Sequence, residues 1–145
     1  MPGANNPPKA ADPLYLVTGG AGFIGSNIVT ELVHRGVEVR ALDDFSNGTR
    51  SNLETVAENV EVIDGDIRDP GAVRRAAQGA DVVLHLAALG SVPRSVKDPK
   101  TSNDVNVGGT LNVLIAARDA GVGRVVYSSS SSVYGDNPAL PKRED

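Results

Sequence analysis

At 145 residues the chain has the length of one domain and can bury roughly two thirds of the surface that its unfolded form exposes. Its formal net charge of −4, with Lys and Arg scattered, leaves no electrostatic footprint for nucleic acid. Cysteine is absent and the histidines, His34 and His85, lie on separate segments, which excludes disulfides and a zinc cluster; no metal is expected.

No apolar run approaches membrane-span length, and Met1 to Pro13 is polar and proline-rich instead of basic and then apolar. The chain therefore reads as cytoplasmic with no membrane partner. The same residues, 1–13, are expected to form a flexible tail, because their prolines remove backbone donors and they have little to bury. The folded domain is expected over 14–145.

From Leu14 onward, short β-like runs alternate with helical periodicity. Leu14 to Thr18 reads as a first strand. Ile24, Ile28, Val29, Leu32 and Val33 then recur at helical spacing, and Gly36 stands where a left-handed cap belongs. Strands are predicted at Val37 to Leu42 and Val60 to Ile63, followed by a helix from Pro70 to Gln78 with Gly79 after it. Asp81 to Leu86 is a fourth strand, Thr101 to Ala120 a third helix ended by Gly121, and Arg124 to Ser128 a fifth strand. The strands are mostly apolar and Val-rich, as strands covered on both faces are. The alternation predicts an α/β fold with a doubly wound parallel sheet in the order 3-2-1-4-5. Its ligand crevice lies off the carboxyl ends of strands one and four.

The first strand runs directly into Thr18-Gly19-Gly20-Ala21-Gly22-Phe23-Ile24-Gly25. Gly19 permits the tight turn, Gly22 lets the backbone approach a pyrophosphate, and Gly25 lets the helix pack close to the sheet. The first helical turn, at Phe23 and Ile24, offers free N–H groups and the positive end of the helix dipole. Asp43 ends the next strand about twenty residues further on, the separation at which a carboxylate takes the adenosine ribose hydroxyls. That carboxylate repels the additional phosphate of NADP, so NAD is favoured, although Arg50 is near in sequence. Asp44 reads as a solvated neighbour whose amide or side chain can touch the adenosine.

With those residues the chain resembles the extended short-chain dehydrogenase/reductase family. The match is to its NAD-dependent nucleotide-sugar epimerase/dehydratase branch and, within that, to the UDP-sugar 4-epimerases. The markers are Thr18 to Gly25, Gly65-Asp66-Ile67, His85-Leu86-Ala87-Ala88, Asn106 with Gly109-Thr110, and Ser128 to Gly135. The resemblance implies that Asp66 and Ile67 bracket the adenine, that Leu86, Ala87 and Ala88 give close backbone approach to the cofactor, and that Asn106 orders the loop after strand four. Each has a structural alternative: Asp66 starting a turn, the alanines in the core, Asn106 in solvent. His85 reads as a core histidine with a backbone partner. Gly90 to Ser95 resembles the loop beside the hexose in UDP-sugar 4-epimerases, where Ser91 either bonds substrate or is an ordinary loop serine. Ser130 matches the family's catalytic serine, whose hydroxyl faces the sugar's 4-oxygen.

The family's dehydratases carry Asp and Glu close behind that serine, where this chain has Ser131 and Ser132. Dehydration then lacks its proton carriers, whereas epimerisation at C4 of a UDP-hexose needs only hydride removal and return. The family's Tyr-x-x-x-Lys unit is missing: four residues after Tyr15, Tyr127 and Tyr134 stand Gly19, Ser131 and Pro138. The chain is accordingly expected to be an N-terminal portion, inactive by itself, with strand five as an open edge and marginal solubility. A non-catalytic NAD-binding module and a nucleotide-sugar reductase or decarboxylase remain alternatives. The resemblance also implies a homodimer paired through helices, including the one near Thr101 to Ala120.

Overall fold

A computed structural model describes residues 12–143; the expected tail lies outside the described residues but for its last two. Five strands form one parallel sheet in the order β3-β2-β1-β4-β5. They are β1 (Leu14–Thr18), β2 (Glu38–Asp43), β3 (Val60–Asp64), β4 (Val82–His85) and β5 (Arg124–Tyr127). β1 is central, with Leu14 in register with Glu38 of β2 and Tyr15 in register with Val82 of β4. The first residue of β1 is tied to the loop before β4 at both polar atoms. Leu14 N–H donates to the Asp81 carboxylate at 2.8 Å, and Asp81 N–H donates to Leu14 O at 2.9 Å.

Two apolar layers cover the sheet. On one face Leu16, Leu42 and Val83 pack with Val73, Ala76, Ala77, Val113, Ala116 and Ala117; on the other Val17, Val39 and Ala41 pack with Val29, Leu53 and Val56. The strand that departs furthest from two-sided burial is β5, where Val126 and Tyr127 are 49% and 58% exposed. The Val-rich run resembles a covered strand, but its outermost position in the sheet leaves it the open edge that the sequence led one to expect.

Helix α1 (Phe23–His34) ends at Gly36, whose φ of 74° is the left-handed stop expected from sequence. Its fully buried residues are Gly25, Ser26 and Val29, so the closest face carries the smallest side chains. Helix α2 (Pro70–Ala77) starts on Asp69, whose carboxylate accepts from Gly71 N–H at 2.8 Å. Its other end is held by Arg40 from β2, which donates to the carbonyls of Ala76 and Gln78 at 2.7 and 2.6 Å. Free C-terminal carbonyls and a cation satisfy each other there.

The predicted helix at Thr101 to Ala120 is a composite. It comprises α4 (Pro99–Asn103), a π-helical segment (Asp104–Gly109) and α5 (Thr110–Asp119). Two other segments carried no helical expectation. Arg50–Asn59 forms a 3₁₀ helix whose Leu53 and Val56 are buried, and Val92–Lys97, which takes in the end of the expected hexose-side loop and two residues beyond it, forms α3. Among the described residues no helix is long and apolar enough to cross a membrane.

The π segment meets the α2 side of the sheet at Gly109, where an added Cβ would stand 2.5 Å from Ile67 Cδ1 and 2.6 Å from its Cγ1. Ile67 is buried and branched, with little room to yield. Gly109→Ala is therefore expected to cost about 1–3 kcal/mol of stability through overpacking. Urea denaturation checks this, and an unchanged midpoint would contradict the packing.

Candidate functional site

Three chain segments converge beyond the carboxyl ends of β1 and β2. Asp43, 8% exposed, directs one carboxylate oxygen to Ala21 N–H and the other to Phe45 N–H, each at 2.9 Å. Ala21 is held on its other side as well, its carbonyl accepting from Thr49 N–H at 3.2 Å and from the Asn52 amide at 2.8 Å. The glycine turn is thus clamped by the end of β2 and the loop after it. Phe45 takes a φ of 56°, and the Arg50 guanidinium lies 4.1 Å from its ring centroid and 2.7 Å from the Asp64 carboxylate. Arg50, the first cation after Asp43 in the sequence, is engaged by those two groups.

Three of the four glycines of the turn, Gly25, Gly19 and Gly22, differ in what they face. An added Cβ at Gly25 would stand 2.0 Å from Gly19 O, and one at Gly19, where φ is 69°, would stand 2.9 Å from Ala87 Cα and N. Gly22 has φ −73° and would meet only Gly19 O, at 3.3 Å. Packing demands the first two glycines. The third faces open space, where a side chain would intrude on anything lying against the turn.

That space is a cleft of about 270 Å³. Gly19, Gly22, Leu42, Asp43 and Asp44 line it from β1 and β2, Gly65 to Arg68 from the end of β3, and Leu86 to Leu89 from the end of β4. Ser46, Asn47, Gly48, Thr101 and Val105 complete the wall. The first α1 hydrogen bond runs from Ser26 N–H to Gly22 O, so the N–H groups of Phe23, Ile24 and Gly25 precede it. The first turn of α1 carries no acidic residue to offset its positive dipole end. The side chains of Phe23 and Ile24 are exposed and line a separate, more open hollow with Asn27 and Ile28.

Asp44, exposed, accepts from Ser46 N–H and Ser46 Oγ. Asp66 is gripped by Arg68 through its N–H at 2.8 Å and its guanidinium at 2.8 and 2.5 Å, a bond that holds the carboxyl below its ordinary pKa. Ile67 belongs to the buried core as well as to the cleft wall. The Asn106 side chain accepts from Leu89 N–H at 2.8 Å and donates to Leu89 O at 3.1 Å.

His85 is buried, but its ring partners are not backbone atoms. Thr18 Oγ1 is 2.6 Å from Nδ1 and Thr110 Oγ1 is 2.9 Å from Nε2. Hydroxyls from β1 and α5 reach the ring because the sheet brings Thr18 and His85 into register. Ser91 caps α3, accepting from Arg94 N–H at 3.3 Å. Ser130 lies beyond the end of β5, is exposed, and bonds Ser132 through its hydroxyl. Neither serine lines the cleft.

Sequence reasoning gave no role to Arg68 and Gly48, and counted Thr18 and Thr110 only as parts of motifs. Gly48 carried a signal, a glycine in an otherwise polar loop; an added Cβ there would meet the Ala21 backbone at 2.7 Å. Nothing in the motifs of the threonines points to His85, because that contact is three-dimensional.

The model of the NAD dependent epimerase/dehydratase family matches residues 15–145. The chain belongs to that family. A UDP-glucose 4-epimerase of Mycolicibacterium smegmatis is 46% identical over 134 residues, which is 90% of this chain and 43% of the relative. Among solved structures, a UDP-N-acetylglucosamine 4-epimerase from Methanobrevibacter ruminantium, in complex with UDP-N-acetylmuramic acid, superposes with a TM-score of 0.83. It is 40% identical and covers 92% of this chain and 43% of its own. A UDP-glucose-4-epimerase from Stenotrophomonas maltophila, with bound NAD and formylated UDP-arabinopyranose, gives 0.84 at 38% identity, covering 91% of this chain and 41% of its own. The chain therefore spans about two fifths of the length of these relatives.

Within this family member, the Asp66–Arg68 pair gives a direct electrostatic test. Arg68→Ala removes the bond that depresses the Asp66 pKa, so that pKa is expected to rise toward the ordinary value of about 3.9. Because the folded value is depressed, the pair stabilises the fold above the unfolded pKa and loses that contribution as pH falls through the folded one. Carboxyl carbon NMR titration of the two chains measures the shift.

Proposed function

We propose that this chain is the NAD-holding part of a UDP-sugar 4-epimerase. The observation that carries the reading is the junction of the cleft with the start of α1. Unpartnered N–H groups and an uncompensated dipole end meet an open-sided Gly22, the environment that a pyrophosphate requires. Gly65, Ile67 and the Leu86–Leu89 backbone supply flat, mostly apolar walls for rings, and Asp43 and Asp44 place carboxylates at the adenosine ribose end. When bound, NAD supplies a hydride acceptor that is also a donor. The chain's own residues hold it: the turn takes the diphosphate, Asp43 excludes an additional phosphate, and Asp66 with Ile67 confines the adenine.

Support for a 4-epimerase over a dehydratase comes from Ser131 and Ser132 standing where proton-carrying Asp and Glu are needed. Ser130 is proposed as the hydroxyl directed at the sugar's 4-oxygen and Ser91 as a contact to the hexose, both on the motif match. The helix through the π segment and α5 exposes Val107, Leu111, Leu114 and Ile115, which are 62%, 56%, 47% and 40% exposed. Their helical spacing supports pairing of two copies through this face.

Calorimetry with NAD tests the assignment. The 145-residue chain is expected to bind, and Gly22→Ala to weaken binding at least about tenfold, or about 1.4 kcal/mol, while thermal stability changes little. Gly25→Ala is instead expected to unfold the turn, with a large drop in melting temperature. A folded chain that ignores NAD would sink the proposal. With no Tyr-x-x-x-Lys unit, the same chain is expected to show no interconversion of UDP-glucose in a coupled assay, and measurable turnover would contradict that division of labour.

A further inference from the structure

The buried His85 ring lies in a hydrogen-bond chain whose direction can be worked out by counting hydrogens. Thr110 Oγ1 donates its single hydrogen to the Asn106 carbonyl at 2.7 Å. It can therefore only accept from His85, so Nε2 carries the proton and Nδ1 of the neutral ring is an acceptor. Thr18 Oγ1 then donates to Nδ1 at 2.6 Å and offers its lone pairs to the N–H groups of Leu86 and Ala87, each at 3.3 Å.

Both ends of this chain finish on the same stretch of cleft wall. Through Thr18 it reaches Leu86 and Ala87, and through Thr110 it reaches Asn106, whose side chain clamps both polar atoms of Leu89. Ala87 in turn abuts Gly19 of the glycine turn. We propose that His85 is a positioning residue: locked as the Nε2–H tautomer between Thr18 and Thr110, it sets the Leu86–Leu89 backbone against the glycine turn and thereby the cofactor-facing shape of the cleft. The inference rests on the NAD-binding reading for its functional consequence, but not for its geometry.

The chemistry favours a neutral ring. The groups facing it are the Thr18 hydroxyl from β1, the Thr110 hydroxyl from α5 and the Tyr127 ring from β5, at 5.7 Å between centroids. Burial holds the pKa below the ordinary histidine value. An imidazolium would donate from both nitrogens and leave the Thr18 hydrogen without its acceptor. The π segment belongs to the same device, since it bears Asn106 immediately before the turn that carries Thr110.

Nitrogen-15 NMR of the histidine-labelled full chain, with His34→Gln to assign the exposed ring, reads the tautomer directly. A neutral His85 protonated on Nε2, titrating below the ordinary histidine value, is expected; a ring protonated on Nδ1 overturns the proposal. Thr110→Val preserves shape and removes the hydroxyl, while Thr110→Ser restores it. In the Val variant the amides of Leu86, Ala87 and Leu89 are expected to exchange faster than those of the β1–β2 core, and NAD affinity to fall about fivefold. The Ser variant should match the parent in both. Uniformly faster exchange across the sheet, or unchanged protection at Leu86–Leu89, would overturn the positioning role. If the parent chain does not bind NAD, the cofactor reading fails, while the tautomer and exchange measurements still decide the relay.

Discussion

The carboxylate of Asp43 is the point on which the carboxyl end of this sheet depends. It is nearly buried, and its two oxygens are each met by a backbone N–H, one from the glycine turn and one from its own strand's exit. Hydrogen bonds to a charged group contribute about 1.5–3 kcal/mol, and an orphaned carboxylate at the same place would cost at least as much. The turn after β1 therefore has one position relative to β2. The direction of α1, the close approach of Gly25 to Gly19 and the mouth of the cleft follow from it. Asp43 is thus a structural member of the turn, and a substitution there disturbs the turn and the mouth of the cleft together.

Most of the sheet was legible in the chain because parallel strands buried on both faces announce themselves as Val-rich runs bounded by glycine. Leu14–Thr18 matches its predicted bounds, and Gly36, Gly79 and Gly121 all take the positive φ that their positions after helices imply. The 3₁₀ helix at Arg50–Asn59 was not legible, since only Leu53 and Val56 of its ten residues turn inward and the remainder reads as polar loop. The π segment escaped for a different reason: an inserted residue shifts the helical phase without changing the composition of the stretch.

In the site, glycines and Asp43 were legible because their spacing along one strand-turn-helix unit is itself the signal. Partners that come from separate parts of the chain were not. His85 draws its hydroxyls from Thr18 and Thr110, which lie 67 and 25 residues away. A buried histidine announces only that it needs partners. Which atoms provide them is decided by sheet order and by where α5 crosses. Ser91 and Ser130 show the converse, residues marked by motif position whose hydroxyls here cap the backbone of their own segments.

The reciprocal bonds between Leu14 and Asp81 bring together residues separated by 67 positions. The neighbouring Leu14–Glu38 pairing closes a loop little more than a third as long. The difference in chain entropy is about 1 kcal/mol, and it falls wholly on the seam between β1 and β4. That seam also carries Thr18, His85 and the contact of Gly19 with Ala87. The most entropically demanding closure in the sheet thus coincides with the floor of the cleft. Separating the cleft's two sides means parting the central strands, which ties the pocket's integrity to the cooperativity of the fold itself.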